Sequence, residues 1–169
     1  MRYSTQSGQH PDQVVAACRR QVRRAIARPA TRIAVLAALR PYTRGIGHTD
    51  LNGDQIAESI QRMVQAITFY REPAGEGLPG EVIQSPTLTL ELNGGDCDDI
   101  AVLAATAAAV LGCKAAIGWY STSSDGSQAH IVAGVQPGWY QSGQWVIIDA
   151  QKEKPTHPES LTGARWLRV

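Results

Sequence analysis

An apolar stretch that follows a cysteine constrains the fold of this chain more than any other sequence feature. The run IAVLAATAAAVLG, residues 100–112, is apolar or small on every side of a helix and ends on a glycine, a residue that commonly terminates helices. A helix that is apolar all round has to be buried on all sides. The sequence therefore predicts a helix that begins near Cys97, ends near Gly112 and lies in the middle of a domain.

Helical periodicity before this run and strand-like runs after it predict an α+β domain. Apolar residues at near-helical spacing predict helices over 11–28, over 32–40 and from about residue 54 to Tyr70. Strand-like runs follow at 114–120, 130–136 and 145–148, and the run 164–169 can add a fourth strand. Glycine, proline and polar residues predict connections at 71–81, 121–128 and 137–144. Helices followed by an antiparallel meander are typical of the α+β class.

Length and cysteine content limit the class of protein. A chain of 169 residues with 43% hydrophobic composition can bury one sizeable core but not two full domains. Three widely spaced cysteines argue against a disulfide framework, and a zinc site built from Cys97, Cys113 and His130 would lack a fourth ligand. The sequence contains neither a signal-peptide pattern nor an apolar stretch long enough for a membrane span, so we expect a cytoplasmic protein without membrane contact.

Charge is distributed unevenly along the chain. Residues 1–44 hold nine of the 16 basic residues and one of the 15 acids, a charge of +8, which leaves seven basic residues and 14 acids, −7, for the remainder. An arginine-rich start can meet an acidic partner, but a solvated helix face is the commoner interpretation, and nucleic-acid binding is not expected. We predict an N-terminal helical segment, 1–52, that packs on or docks against a core of 53–169.

Cys97 is the candidate nucleophile because it stands at the predicted start of the buried helix. The N–H groups and partial positive charge of a helix N-terminus favour a thiolate and can hold a developing oxyanion. His130 is the candidate base because it opens the apolar strand AHIVAGV, whereas the three other histidines lie in polar or proline-flanked segments. Asp149 ends the run WVIID, where an unpaired acid is costly, so we expect it to orient the histidine. Each of these two residues alone has a simpler explanation as a surface or turn residue, and their joint order after the cysteine favours a catalytic triad.

Three segments resemble a known superfamily. GGDCDDIAVLAATAAAVLG, AHIVAGV and WVIIDA resemble the cysteine, histidine and aspartate blocks of the transglutaminase-like superfamily, whose members share a papain-like core. TFYREP and EVIQSPTLTLELNGGDCDD resemble its bacterial and bacteriophage branch. The resemblance covers about residues 53–150. It implies a central helix packed on a small antiparallel sheet, with extra N-terminal helices, and the roles of nucleophile, base and orienting acid for Cys97, His130 and Asp149.

The resemblance also implies a function. We expect thiol-dependent hydrolysis or acyl transfer at an amide bond of a protein or peptide substrate, as in a cysteine protease. Crosslinking of the animal transglutaminase kind is not expected, because Asp98 follows Cys97 where those enzymes have tryptophan. The alternative is a structural or interaction protein, such as a bacteriophage virion or tail component, that uses the fold as a scaffold and docks through residues 11–44. That alternative would make the chain virion-associated.

Residues next to Cys97 leave two questions open. Gln84 is an oxyanion candidate by resemblance to papain-like enzymes, although a role in bracing a loop fits equally well and the backbone N–H of Cys97 is the safer donor. The acids beside the cysteine are expected mainly to cap the helix, which requires no cofactor. Similarity to the periplasmic adhesin-cleaving proteases of the superfamily implies instead that Asp96 and Asp98 bind calcium.

Overall fold

The structure, a computed structural model, describes residues 10–47, 49–70, 83–122, 129–136, 144–157 and 163–169. The connection predicted at 71–81, and most of those predicted at 121–128 and 137–144, lie outside the described residues. The described residues form helices, one pair of very short strands and a four-stranded sheet.

Three helices open the described chain. Helix α1 spans Pro11–Ile26, α2 spans Pro29–Leu39 and continues into a 3₁₀ turn, and α3 spans Gly53–Gln65. The second helix begins three residues before the predicted start, because Pro29 occupies its first turn instead of separating two helices. Proline is favoured at this position, since the first helical N–H has no partner within the helix and the ring fixes a helical φ.

The predicted end of the third helix is wrong. Helix α3 ends at Gln65, and the next residues form strand β1, Thr68–Phe69, which pairs in parallel with strand β2, Gly94–Gly95. The apolar periodicity continues past the end of the helix, since Ile67 is still buried. Thr68 and Phe69, however, pair with a segment 26 residues later, as the register of Thr68 with Gly94 shows. Periodicity alone does not reveal such a distant pairing partner.

A short helix, α4, was not predicted from the sequence. It spans Pro86–Leu92, and the Ser85 side chain accepts a hydrogen bond from Leu88 N at 3.3 Å. Asn93 ends the helix in the left-handed conformation, at a φ of 46°. Serine before the helix, proline in its first turn and asparagine after it are common end signals, so the residues of this helix carry a recognisable pattern.

The main sheet contains the four predicted strands. These are β3, Lys114–Ser121, β4, Ala129–Gln136, β5, Val146–Ile148, and β6, Arg165–Arg168. Their order across the sheet is β5-β4-β3-β6, and all neighbours are antiparallel. The last strand of the chain therefore joins the free edge of β3, and β5 lies at the opposite edge.

The predicted central helix is confirmed. Helix α5 spans Cys97–Val110 and packs against α1, α2, α3 and α4 and against strands β3 and β4. Every residue from Asp98 to Ala108 is buried. Small side chains on this helix, mostly alanine, let its neighbours approach from all sides. The chain thus has the predicted α+β architecture of a central helix on a small antiparallel sheet with extra N-terminal helices.

Helix α1 presents an apolar face to the core and a basic face to solvent. Its buried residues are Val14, Val15, Cys18, Val22 and Ala25, and the helix packs on α5 and β3. The separation of a segment 1–52 from a core 53–169 stays a prediction. Within the described residues, no helix is both long and apolar enough to span a membrane.

Candidate active site

Cys97 occupies the first position of helix α5, as the sequence predicts. Asp96 precedes it as the N-cap, and its Oδ1 accepts hydrogen bonds from Asp98 N at 3.1 Å and Asp99 N at 3.5 Å. Asp99 returns a bond, since its Oδ2 accepts from Asp96 N at 3.3 Å. These reciprocal bonds form a capping box, so the backbone that carries the thiol is held on both sides.

The three cysteines differ in exposure. Cys97 is partly exposed, whereas Cys18 and Cys113 are buried. Cys97 opens α5 and Cys113 follows its last residue, Val110, so the helix, at about 1.5 Å per residue, separates them by roughly 20 Å. The two thiols cannot share a metal ion, in agreement with the rejection of a zinc site.

His130 and Asp149 form a buried pair. His130 is the second residue of β4, Asp149 directly follows β5, and His130 Nε2 lies 3.0 Å from Asp149 Oδ1. The exposed fractions of the two side chains are only 4% and 5%. The pairing of β4 with β5 places Ile148 opposite Ala133, and continuing this register brings the two side chains to neighbouring positions at one end of the sheet.

The environment keeps the Asp149 carboxyl ionised. Burial by itself raises its pKa, but the hydrogen bond and charge of His130 and the N–H of Gln151 outweigh burial, so the pKa lies below its ordinary value of 3.8. The positive charge of Lys152 acts in the same direction. An ionised carboxylate on Nε2 can hold the imidazole orientation and stabilise a proton on the ring.

One cleft contains all three residues of the predicted triad. Cys97, His130 and Asp149 line it together, and most of the remaining lining is apolar. Those further residues include Phe69, Ile100, Ala101, Ile131 and Ile148. The Tyr120 and His130 rings also pack in a T-shaped arrangement, with centroids 5.5 Å apart and planes at 89°. The structure thus brings together a helix-opening thiol and a carboxylate-bound imidazole in an apolar setting.

Gln84 braces the segment before the cysteine. Its backbone N–H donates to Asp99 Oδ1 at 2.7 Å, and its side-chain Nε2 donates to the Tyr70 hydroxyl at 2.7 Å. Gln84 is buried and is absent from the described residues that line the cleft around Cys97. The bracing contacts are observed, and a role as oxyanion donor stays a prediction.

Three acids at the start of α5 form a compact cluster. One carboxylate oxygen from each of Asp96, Asp98 and Asp99 lies within 4.8 Å of the others. Asp98 and Asp99 are buried at 1% exposure each, and Asp96 is partly buried. The capping role expected for these acids is observed for Asp96 and Asp99, and the oxygen-rich arrangement is also of the type that calcium prefers.

Sequence reasoning missed Gln61. This residue of α3 is buried, and its side chain contacts the backbone of Asp149 and Lys152. An interior glutamine on the apolar face of a helix is unusual, since glutamine is mostly exposed in proteins. A glutamine among the apolar positions of the helical pattern was therefore the sequence signal that could have identified Gln61.

Comparisons with known proteins identify the fold. No protein-family model matches the chain, and a search of curated proteins finds no significant match. Solved structures do match. LapG of Legionella pneumophila superposes with a TM-score of 0.60 at 15% identity, over 90% of this chain and 81% of that one. Its calcium-bound form gives 0.56 at 16% identity, over 79% and 83% of the two chains.

A candidate cysteine protease from Cytophaga hutchinsonii also matches. Its TM-score is 0.50 at 14% identity, over 81% of this chain and 47% of that longer one. At these identities the likeness shows a common fold. The chain has the papain-like, transglutaminase-like fold that its cysteine, histidine and aspartate segments predict.

Proposed function

We propose that this chain, on a fold it shares with a structure described as a cysteine protease, is a thiol enzyme that acts on an amide bond of a protein or peptide. Cys97 is the nucleophile, His130 the general base and acid, and Asp149 the residue that orients the imidazole. The observation that carries the proposal is the buried 3.0 Å contact between His130 Nε2 and Asp149 Oδ1 in the cleft that Cys97 lines. A buried ion pair that only stabilised the fold would not need a partly exposed thiol in the same cleft.

The proposed reaction begins with proton transfer from the thiol to the imidazole. Because Nε2 is engaged by Asp149, Nδ1 is the nitrogen assigned to exchange this proton. The thiolate sulfur then attacks the amide carbonyl carbon, and the carbonyl oxygen becomes an oxyanion near the backbone N–H of Cys97. The oxyanion collapses as the C–N bond breaks, the imidazolium gives its proton to the leaving amine, and a thioester remains.

Release of the acyl group reverses these roles. His130 takes a proton from water, the resulting hydroxide attacks the thioester, and the Cys97 thiolate leaves with formation of a carboxylic acid. A second amine can replace water and form a new amide. Water is the proposed acceptor because it is present in excess. Incorporation of a labelled primary amine into the product at the expense of the acid would identify a transferase instead.

Alkylation of Cys97 tests the proposal directly. We expect iodoacetamide to modify Cys97 at pH values well below the ordinary thiol pKa of about 8.5, and we expect His130→Ala to abolish this reactivity. Rates are measured by peptide mass spectrometry from pH 4 to 9. The buried Cys18 and Cys113 serve as internal references, since their protection reports that the fold is intact. A wild-type Cys97 that titrates as an ordinary thiol would contradict an enzymatic role.

Calcium binding by the acid cluster is proposed as an addition to this function. Asp96 and Asp98 are the predicted ligands, and the proximity of Asp99 supplies a third carboxylate. The calcium-bound LapG structure makes calcium the ion to test. Calcium at a hundredfold excess over its Kd would raise the melting temperature by about 5–10 °C relative to EGTA. The variant Asp98→Asn should lose that increase, and magnesium serves as the control ion.

Two outcomes would contradict calcium binding. The wild type would melt at the same temperature in calcium and EGTA, or Asp98→Asn would retain the full increase. Either result would leave the acids with the capping role that their hydrogen bonds already show.

A second candidate function, docking of an acidic protein, depends on an arginine surface on α1 and α2. Within the part of the chain that the structure describes, its members are exposed and make no ion pair: Arg20, Arg23, Arg24, Arg28, Arg32 and Arg40. Ile33, 69% exposed, lies among them. Arginine with an exposed apolar residue is typical of protein interfaces, whereas contact with nucleic acid requires charge alone.

Binding of a fluorescent poly-L-glutamate tests the arginine surface. Neutralising Arg24, Arg28 and Arg32 to glutamine should weaken binding roughly tenfold, since each exposed ion pair contributes up to about 1 kcal/mol. The matched control neutralises three exposed cations elsewhere, Lys114, Lys154 and Arg168. Equal loss in both triple variants, or tighter binding of duplex DNA, would rule out the docking role. A virion or tail location stays a prediction on which neither the fold nor the structural neighbours bear.

A further inference from the structure

The side chain of Gln61 forms hydrogen bonds with the backbone of Asp149, the residue that contacts His130. Its side-chain Nε2 donates to Asp149 O and to Lys152 O, both at 2.7 Å, and its Oε1 accepts from Asp149 N at 3.1 Å. The residue is 1% exposed and reaches its partner from α3, 88 positions earlier in the chain. Burying an amide is costly unless its hydrogen bonds are made, and here both ends are satisfied.

The geometry of this contact reproduces a step of a β-sheet. In an antiparallel pair, two opposite residues exchange both of their N–H···O bonds, and the amide of Gln61 exchanges the same two bonds with Asp149. Strand β5 is only three residues long, and on the edge away from β4 its Ile147 exchanges both backbone bonds with Thr156, at 2.7 and 3.1 Å. Backbone groups two residues apart on a strand face the same edge, so the Gln61 side chain occupies the next bonding position on this outer edge, opposite Asp149, where the strand stops.

Immobilising the Asp149 backbone fixes the direction of its side chain. Asp149 Oδ1 accepts a hydrogen bond from Gln151 N and lies in hydrogen-bond contact with His130 Nε2, each at 3.0 Å. The bond from Lys152 N to Asp149 O, at 2.9 Å, closes the turn that follows, and Gln61 also holds that turn through Lys152 O. A shift of the backbone at 149 would change the distance and angle to the imidazole directly.

We propose that Gln61 is a positioning residue that holds Asp149 so that its carboxylate orients the His130 imidazole. The inference rests on the proposed function, since orientation of the imidazole serves Cys97. The hydrogen bonds of the Gln61 side chain go to backbone atoms of Asp149 and Lys152. Gln61 acts through the backbone of a third residue, and this distinguishes it from a residue that merely fills the core.

Gln65, an exposed residue of α3, provides a control for the contact with Lys152. It has the same residue type, lies one turn later on α3, and its Nε2 donates to the same Lys152 carbonyl, at 2.6 Å. This hydrogen bond is made to Lys152 and not to Asp149. If the contacts of α3 served only to tether the turn, then replacement of either glutamine would affect the site in the same way.

The experiment compares Gln61→Met with Gln65→Met by NMR in the full chain. In the wild type, the ring N–H of His130 should give a slowly exchanging downfield signal, and the Asp149 carboxyl ¹³C signal should titrate with a pKa below its ordinary value. Gln61→Met should broaden the ring N–H signal and raise the Asp149 pKa. Gln65→Met should leave both unchanged. Alkylation of Cys97 at pH 6 should fall between about 10- and 100-fold in Gln61→Met only.

The outcomes separate this inference from the proposed function. Unchanged NMR signals in Gln61→Met, or equal changes in both variants, would overturn the positioning role. The NMR signals do not depend on the thiol, so an inert wild-type Cys97 together with the expected signals would refute the enzyme and retain the positioning of Asp149. Retained Cys97 reactivity in Gln61→Met would show that orientation by Asp149 is not needed.

Gln61→Glu covers the case in which Gln61→Met does not fold. When protonated, the new carboxyl keeps the acceptor of the amide and one of its two donors. When ionised, it loses the donor and faces two carbonyl oxygens, those of Asp149 and Lys152. The His130 ring N–H signal should therefore weaken as the pH rises in this variant and not in the wild type. A signal that stays constant with pH in both proteins would overturn the inference.

Discussion

At the residue scale, the candidate site depends on the side chains of Cys97, His130 and Asp149, and a different set of contacts fixes each of them. The capping box fixes Cys97 at the end of a helix. His130 is fixed by its place in a buried strand, and Asp149 by a glutamine that acts as a further ladder residue. Asp149 is the most exacting of the three, since a buried carboxylate is stable only with partners that favour its charged form.

The charge of Asp149 makes the stability depend on pH. The ordinary pKa of 3.8 applies to Asp149 in the unfolded chain, and its pKa in the folded chain lies below that value. The ionised carboxylate therefore stabilises the fold fully above the unfolded pKa, and this stabilisation is lost as the pH falls through the folded pKa. We expect the free energy of unfolding of the wild type to decrease more steeply below pH 4 than that of Asp149→Asn. Urea unfolding at pH 5, 4 and 3 measures both slopes. Parallel slopes would show that the carboxyl titrates alike in the folded and unfolded chain.

At the element scale, the start of α5 and the start of α3 use the same device. Asp96 with Asp99, and Asn52 with Gln55, each form a capping box. A cap acts through its own hydrogen bonds and a helix dipole, and both are local to the first turn. The two helices therefore provide a comparison between a cap beside the candidate nucleophile and one outside the cleft that Cys97 lines.

Removal of either cap should destabilise the chain by a similar amount. We expect Asp96→Ala and Asn52→Ala each to lower the free energy of unfolding by about 1 kcal/mol, and Asp96→Asn to lower it far less, because asparagine caps as well as aspartate. Urea unfolding in EGTA measures all three without a contribution from calcium. A large loss in Asp96→Asn would mean that the charge of Asp96, and not its hydrogen bonds, stabilises the helix.

At the scale of the whole molecule, α5 is the common contact of almost every other element. Helices α1 to α4 pack on it from several sides, and strands β3 and β4 cover another. Leu39 of α2 and Leu103 of α5 are 1% and 0% exposed, and they belong to one continuous core cluster. A core that is shared in this way couples the N-terminal helices to the sheet.

We therefore expect residues 1–52 to unfold together with the remainder. Leu39→Ala and Leu103→Ala should each cost about 2–5 kcal/mol, and the exposed Ile33→Ala less than about 0.5 kcal/mol. Far-UV circular dichroism reports the helices, and fluorescence reports the tryptophans, which all follow residue 53. Coincident transitions are expected. If Leu39→Ala shifted the dichroism and left the fluorescence unchanged, then the N-terminal segment would be a separate folding unit.

Much of the fold could be predicted because its signals are local. The all-apolar run after Cys97 indicates the buried helix, and runs of β-branched and aromatic residues indicate the strands. The wrong end of α3 has the opposite origin. Residues 66–70 continue an apolar rhythm, but Thr68 N donates to Asn93 O and Tyr70 N to Gly95 O, and nothing near residue 68 in sequence reports that pairing.

The chain by itself determined which residues can react and where the buried helix and the four strands of the main sheet lie, since thiol placement and side-chain periodicity act over a few neighbouring residues. Only the tertiary structure decided that His130 meets Asp149 at 3.0 Å, that β6 joins the edge of β3, and that Gln61 holds a residue 88 positions away. These contacts form between segments that are distant in sequence. Their geometry follows from the way the elements pack around α5, and such packing leaves no periodic trace in the sequence.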